Sequence, residues 1–207
     1  MAEFITDMTP EAIRAAVAEQ YGKVASQPNG RFPFPVGRAF AESLGYPPAL
    51  LNSLPRPAVD AFAGISCPLA HADLQLGETV LDLGCGAGMD TIIIGRQVGP
   101  SGHVHGLDLS AEMLECARAN VIAAGLGNVT LHRAPAEAVP LGDASVDVVV
   151  VNGMFNLCPI KQQAMNEVYR VLRRGGRLLV SEIVLREPDD ENWVGATCGL
   201  TLEDWFQ

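Results

Sequence analysis

The feature that most restricts this chain is an alternation that begins near residue 78. Apolar runs of strand length occupy 79–83, 103–108, 128–132, 146–151 and 177–184, with helix-like stretches near 88–98, 111–124 and 161–172. Strands separated by helical crossovers return to the same end of a sheet and so pair in parallel. Such a sheet carries helices on both faces, and its central strands read as nearly unbroken apolar runs. Val148-Val149-Val150-Val151 is such a run. The expected fold class is α/β, a doubly wound and mostly parallel sheet.

The helices carry their own punctuation. Ser110 is placed to cap the second, with Glu112 in its first turn, Met113, Ala117 and Val121 along one face, and Gly125 as the stop. Ala164, Val168 and Leu172 line the third, which Gly175-Gly176 is expected to end. Residues 133–145 fit either a short helix or a plain crossover. Upstream, Thr9-Pro10-Glu11 starts a helix that continues through Ile13, Val17 and Val24. Pro, Gly and aromatic residues then crowd 28–60, where short helices are expected near 48–54 and 57–63. The organisation is thus a helical and irregular cap over 1–75, a sheet-bearing core over 76–184, and a tail over 185–207 in which no strand pair is legible. Phe32, Phe34, Tyr46 and Phe62 of the cap could shape a pocket for an organic molecule.

Composition narrows the function classes. Apolar residues make up 48% and charged residues 18%, against a usual charged share of ~25%, which argues against disorder. A net charge of −10 repels a phosphate backbone, so no nucleic-acid partner is expected. The basic cluster Arg170, Arg173, Arg174 and Arg177 falls at a helix end, where cations suit the dipole. No run approaches the ~20 apolar residues of a membrane span, and the N-terminus lacks a signal-peptide layout, so a cytoplasmic protein is expected. The five cysteines at 67, 85, 116, 158 and 198 are scattered without a CxxC, which disfavours a disulfide scaffold or structural zinc. His103 and His105 share a strand face without an evident third metal ligand. No metal site is expected.

The chemistry concentrates at strand ends. Residues 80–88, Val-Leu-Asp-Leu-Gly-Cys-Gly-Ala-Gly, run a buried strand into a Gly-rich turn ahead of a helix, the layout of a nucleotide-type site. A dinucleotide fingerprint would be GxGxxG, but Met89 takes the place of its third glycine. Asp82, just before the turn, suits a cationic group better than a pyrophosphate. The second strand ends in Asp108, where an acid can accept from two ribose hydroxyls. Ala136-Glu137 follows the third strand, and Glu137 could take an adenine amino group. Asn152 ends the fourth, at the crevice mouth.

This ordered set resembles the class I S-adenosylmethionine-dependent methyltransferases over about residues 75–184. The resemblance implies strand order 3-2-1-4-5, and two further strands after the fifth that the tail does not supply. An uncovered fifth strand would invite pairing into a homodimer. It also implies S-adenosylmethionine as cofactor and a small-molecule methyl acceptor. Gly84, Gly86 and Gly88 would surround the amino-acid end and Asp82 would serve the amino group. Asp108 would hold the ribose and Glu137 would mark the adenine pocket. Cys85, Leu109, Met113, Ala136 and Asn152 complete the expected cofactor contacts.

Within that family the chain looks most like the arsenite methyltransferases. The stretches that carry this are Tyr21-Gly22-Lys23-Val24, 77–84, Gln97-Val98-Gly99-Pro100, Asn156-Leu157-Cys158-Pro159 and 170–178. Typical members hold trivalent arsenic through cysteines before the first strand, after the fourth and after the fifth. Cys67 fits the first place. Gly153 stands at the second with Cys158 five residues on, and Ala196 at the third with Cys198 two residues on. Thiolates prefer soft ions, so Cys67, Cys158 and Cys198, with Asn152, are the expected catalytic positions. The alternatives are an NAD-dependent oxidoreductase and a non-catalytic cofactor-binding or assembly module.

Overall fold

The computed structural model describes residues 8–27 and 30–184. Helix α1 spans Pro10–Ser26, α2 Arg38–Ser43, α3 Pro48–Asn52 and α4 Arg56–Asp60, followed by a 3-10 turn at Pro68–His71. The sheet elements are β1 Thr79–Leu83, α5 Met89–Val98, β2 His103–Asp108, α6 Ala111–Ala123, β3 Val129–Arg133, β4 Val146–Asn152, α7 Lys161–Val171 and β5 Leu172–Ser181. A second 3-10 turn, Phe155–Leu157, precedes α7. Thr9 caps α1 by accepting from the Ala12 amide, and Ser110 caps α6 by accepting from the Met113 amide. Among the described residues no helix is long and apolar enough to cross a membrane.

The strands are all parallel in the order β3-β2-β1-β4-β5. Strand β1 therefore has β2 on one side and β4 on the other. The crossovers leave β1 in opposite directions, which opens a crevice beyond the carboxyl ends of β1 and β4. Strand alternation sorts the core into two faces. Val80, Val104, Val148 and Val150 pack with Ile92 and Ile93 of α5, while Leu81, Leu83, Val149 and Val151 pack with Ala164 and Val168 of α7. Tyr46, Leu51, Val59 and Phe62 of the cap belong to the first cluster, so cap and sheet share one hydrophobic core.

Residues 133–145 form the plain crossover, one of the two expected arrangements. Two elements differ from their sequence-based expectations. Helix α7 ends at Val171, whose side chain is fully buried in place of Leu172, because Leu172 already has extended backbone. Gly175-Gly176 therefore lies inside β5. Gly175 has φ +79° and falls where the β4–β5 register slips between Val146 and Val148. The fifth strand runs 172–181 instead of 177–184. Its arginines are drawn to acids of neighbouring segments: Arg173 to Asp147 at 2.7 Å and Arg177 to Glu78 at 2.8 Å, with Arg170 bridging Asp143 and Glu167. Three of the four arginines of the basic cluster thus brace the fold. The tail over 185–207, and Cys198 with it, lies outside the described residues.

His103 and His105 do share a face of β2, joined by His132 of β3. His105 Nδ1 and His132 Nε2 are 3.0 Å apart, and His103 bonds Thr130 at 2.9 Å. Burial, then the neighbouring imidazoles, push His105 down to about 4. Among the described residues, no group of three or more His, Cys, Asp or Glu is arranged to hold a metal ion.

Candidate functional site

The crevice contains about 1010 Å³ of empty space, its open mouth included, and every expected cofactor position except Gly88 lines it. Gly88 instead forms the N-cap of α5 in the left-handed region at φ +87°, where an added Cβ would lie 3.3 Å from Ala117. Gly84, at φ +84°, would put a Cβ 2.8 Å from the Met154 side chain. Only glycine takes that turn without strain. Four of the five amides over 84–88 are spent internally: Gly84 and Cys85 donate to Leu107, Gly86 to Asp108 Oδ2 and Gly88 to Cys85. The turn thus offers a ligand space and closeness more than donors. A pyrophosphate needs amide donors at this place, so the geometry weighs against a dinucleotide.

Three acids line the floor. Asp82, 3% exposed at the end of β1, accepts from Thr91 Oγ1 at 2.5 Å. Its other carboxyl oxygen has no partner among the described residues. Burial, then the charge of Asp90, push Asp82 up to about 7, against the lowering pull of Thr91. Asp108 accepts from Ser110 N and Gly86 N, each at 2.8 Å, which pre-sets its carboxylate at the tip of β2. Burial still raises its pKa, although these amides oppose the rise. Asp90 lies in the first turn of α5 and is fully engaged: Tyr46 Oη donates to Oδ1 at 2.6 Å and Asn152 Nδ2 to Oδ2 at 3.0 Å. Among the cavity-lining residues the only Lys or Arg is Arg14, which pairs with Glu137. The Asp82–Asp108 end is therefore acidic and short of cations.

The remaining expected residues fall in different settings. Glu137 is 4% exposed, and its Oε1 accepts from Arg14 Nη2 at 3.2 Å. Asn152 reaches the mouth of the crevice, but its amide holds the chain instead of standing free. Its Oδ1 accepts from Ile65 N and Ser66 N at 2.9 and 3.1 Å, and its Nδ2 donates to Ser66 O and to Asp90. A Cβ on Gly64 would collide with that amide. Asn152 thus ties the 64–66 segment to the floor.

Cys158 lines the cavity, with Sγ 3.1 Å from Met154 Sδ; burial, then the charge of Glu137, push its thiol up to about 12. Cys67 is elsewhere, packed against the first core cluster near Tyr46 and Asp90, and burial raises its pKa too. Of these two cysteines, Cys158 lines the crevice and Cys67 does not. Cys85 is a buried packing thiol, and Cys116 packs beside Val24 and Met113.

Sequence reasoning missed Arg14 and Asp90, and read Tyr46 as a pocket-shaping aromatic and not as the donor to Asp90. Arg14, Ala18 and Tyr21 recur at helical spacing and roof the crevice, but residues 1–75 gave no reason to aim that face at the strand ends. Asp90 was a lone acid ahead of Thr-Ile-Ile-Ile, and a buried acid beginning an apolar helix is the signal that could have found it.

A family profile described as "Methyltransferase domain" matches residues 74–201. The chain belongs to the methyltransferase-domain family. The cofactor this membership carries is S-adenosylmethionine. An arsenite methyltransferase of Halobacterium salinarum is 34% identical over 97% of this chain and 56% of its own length. A demethylmenaquinone methyltransferase of Listeria monocytogenes is 38% identical over 58% of this chain and 50% of its own. Among solved structures, an arsenic(III) S-adenosylmethionine methyltransferase from Chlamydomonas reinhardtii superposes with a TM-score of 0.59 at 33% identity, covering 65% of this chain and 48% of that one. This methyltransferase chain thus spans about half the length of the relatives it matches. The oxidoreductase alternative draws no support from them.

Proposed function

We propose that this chain catalyses S-adenosylmethionine-dependent methyl transfer to a small-molecule acceptor. One observation carries the reading: a cation-poor pair of acids, buried Asp82 and half-buried Asp108, stands at the carboxyl ends of β1 and β2 beside a Gly-rich turn four of whose amides are already spent. Buried carboxylates without cations of their own call for a cationic ligand. The cofactor's ammonium and sulfonium fit that end, and its neutral base fits the Glu137 end.

When bound, S-adenosylmethionine supplies an electrophilic methyl group on a sulfonium. The chain's residues bind and orient. Asp82 offers its free oxygen to the ammonium, and Asp108 offers its remaining lone pairs to the ribose hydroxyls. Tyr21 and Val17 of α1 roof the crevice, and Phe62 and Met154 wall it, which limits water. Positioning is the main demand of an in-line displacement, and a base is needed only for an acceptor that must lose a proton. Titration of the purified protein with S-adenosylhomocysteine tests the reading, and absence of binding at millimolar ligand rejects it.

For the acceptor we propose a trivalent arsenical or another thiophilic molecule, supported by the named relatives and by Cys158 in the cavity wall. A second reading, an apolar organic acceptor, is favoured by the absence of Cys67 from the crevice lining and by burial, which raises the pKa of both thiols. A methyl-transfer screen that includes arsenite, with Cys67, Cys158 and Cys198 replaced singly, separates the two. Indifference of arsenite turnover to all three replacements removes the metalloid site. We further propose pairing of two copies through β5, whose described strand pairing is with β4 alone and beside which Ile183 is 60% exposed. A monomer in sedimentation velocity would count against it.

A further inference from the structure

Glu137 divides its work. Its backbone oxygen accepts from Gln163 Nε2 at 3.0 Å, and its Oε1 accepts from Arg14 Nη2 at 3.2 Å. Its second carboxylate oxygen has no partner among the described residues, and the side chain lines the crevice. Arg14 comes from α1, 123 positions away in sequence, and is steadied on its other side by Glu11 at 3.4 Å. Its Nε is enclosed without a partner among the described residues. A buried donor left unpaired is costly, so the guanidinium is held there by what Nη2 does with Glu137.

We propose that Arg14 is a positioning residue for base recognition: it fixes Glu137 so that the free carboxylate oxygen faces the purine, selecting a 6-amino base over a 6-oxo base. The assignment rests on the cofactor reading above. An amino group donates to that oxygen. A 6-oxo base would set a carbonyl acceptor against a carboxylate acceptor, and the carboxylate, tied through Oε1 by Arg14, could not turn away. A buried site built to accept from a ligand group rejects the analogue lacking it far more strongly than a loose one does. Because Arg14 lies on α1 and Glu137 on the β3–β4 crossover, base reading also requires the roof helix to be seated.

The test compares the affinities of S-adenosylhomocysteine and S-inosylhomocysteine, its 6-oxo analogue, by calorimetry on the whole chain. Wild-type protein should prefer the adenine compound by about thirtyfold or more. Arg14→Met should lose about tenfold of that preference, mostly by weakening the adenine compound, while Arg14→Lys should recover part of it. Glu137→Gln, whose amide can donate to a carbonyl, should also narrow the preference. Folding of each variant is followed by circular dichroism, and if Arg14→Met does not fold, Arg14→Lys and Glu137→Gln carry the test. An unchanged preference in a folded variant, or an equal loss for both compounds, overturns the assignment and leaves Arg14 a structural brace. Wild-type protein that binds neither compound overturns the cofactor reading, and this one with it.

Discussion

Cofactor affinity should rise with pH through neutrality, and Asp82 is the reason. Its carboxyl is buried at the end of β1, beside the charge of Asp90, and its pKa is pushed up to about 7. At about pH 6 such a group is ionised in roughly one molecule in eleven, and at about pH 8 in roughly ten in eleven. The ammonium of the ligand pairs only with the ionised form. Apparent affinity should therefore increase about tenfold over that interval, ~1.4 kcal/mol, and level off above it. The assay is calorimetric titration with S-adenosylhomocysteine, which carries the ammonium without the sulfonium. Asp82→Asn keeps an acceptor for Thr91 and removes the titration, so its affinity should be weak and flat. Stability without ligand moves the opposite way. A folded-state pKa above the unfolded one stabilises fully below the unfolded carboxyl range, near about pH 4, and that stabilisation is lost as pH rises through about 7. Ligand should recover it. Wild-type affinity constant across the interval, or the same rise in Asp82→Asn, would refute the reasoning.

Other perturbations read other parts of the site. Asp108→Ala should weaken S-adenosylhomocysteine by about 1–3 kcal/mol in the same calorimetry, with Asp108→Asn losing less because it keeps an acceptor for the Gly86 amide. Tyr46→Phe removes the donor to buried Asp90 and should cost about 1–3 kcal/mol in urea unfolding; a change within experimental error would mean the contact contributes nothing. Cys158, with its thiol pushed up to about 12, should alkylate with iodoacetamide at about pH 8 roughly a thousandfold more slowly than a free cysteine, and mass spectrometry of the labelled peptide reads the rate.

The local rules reached far into this fold. Val148–Val151 announced a central strand, and all four are fully buried. Ser110 and Thr9 cap the helices their chemistry predicts. These features depend on neighbours in sequence, and neighbours in sequence were all there was to read. The misplacement of β5 has the same root. Gly175-Gly176 is equally good at ending a helix and at a bulge in a strand, and only pairing with β4 distinguishes the two.

The sequence by itself determined the alternation of strands and helices, the Gly-rich turn, and the acids at the ends of β1 and β2. A strand's carboxyl end and the turn after it are a single local unit, so these positions follow from the backbone pattern. Only the tertiary structure decided what those residues touch. It seated α1 over the crevice and gave Glu137 to Arg14. It bound Asp90 to Tyr46, spent Asn152 on the 64–66 segment, and placed Cys158 but not Cys67 in the crevice wall. Contacts between groups far apart in sequence are set by how the cap packs on the sheet, and no local spacing encodes that packing.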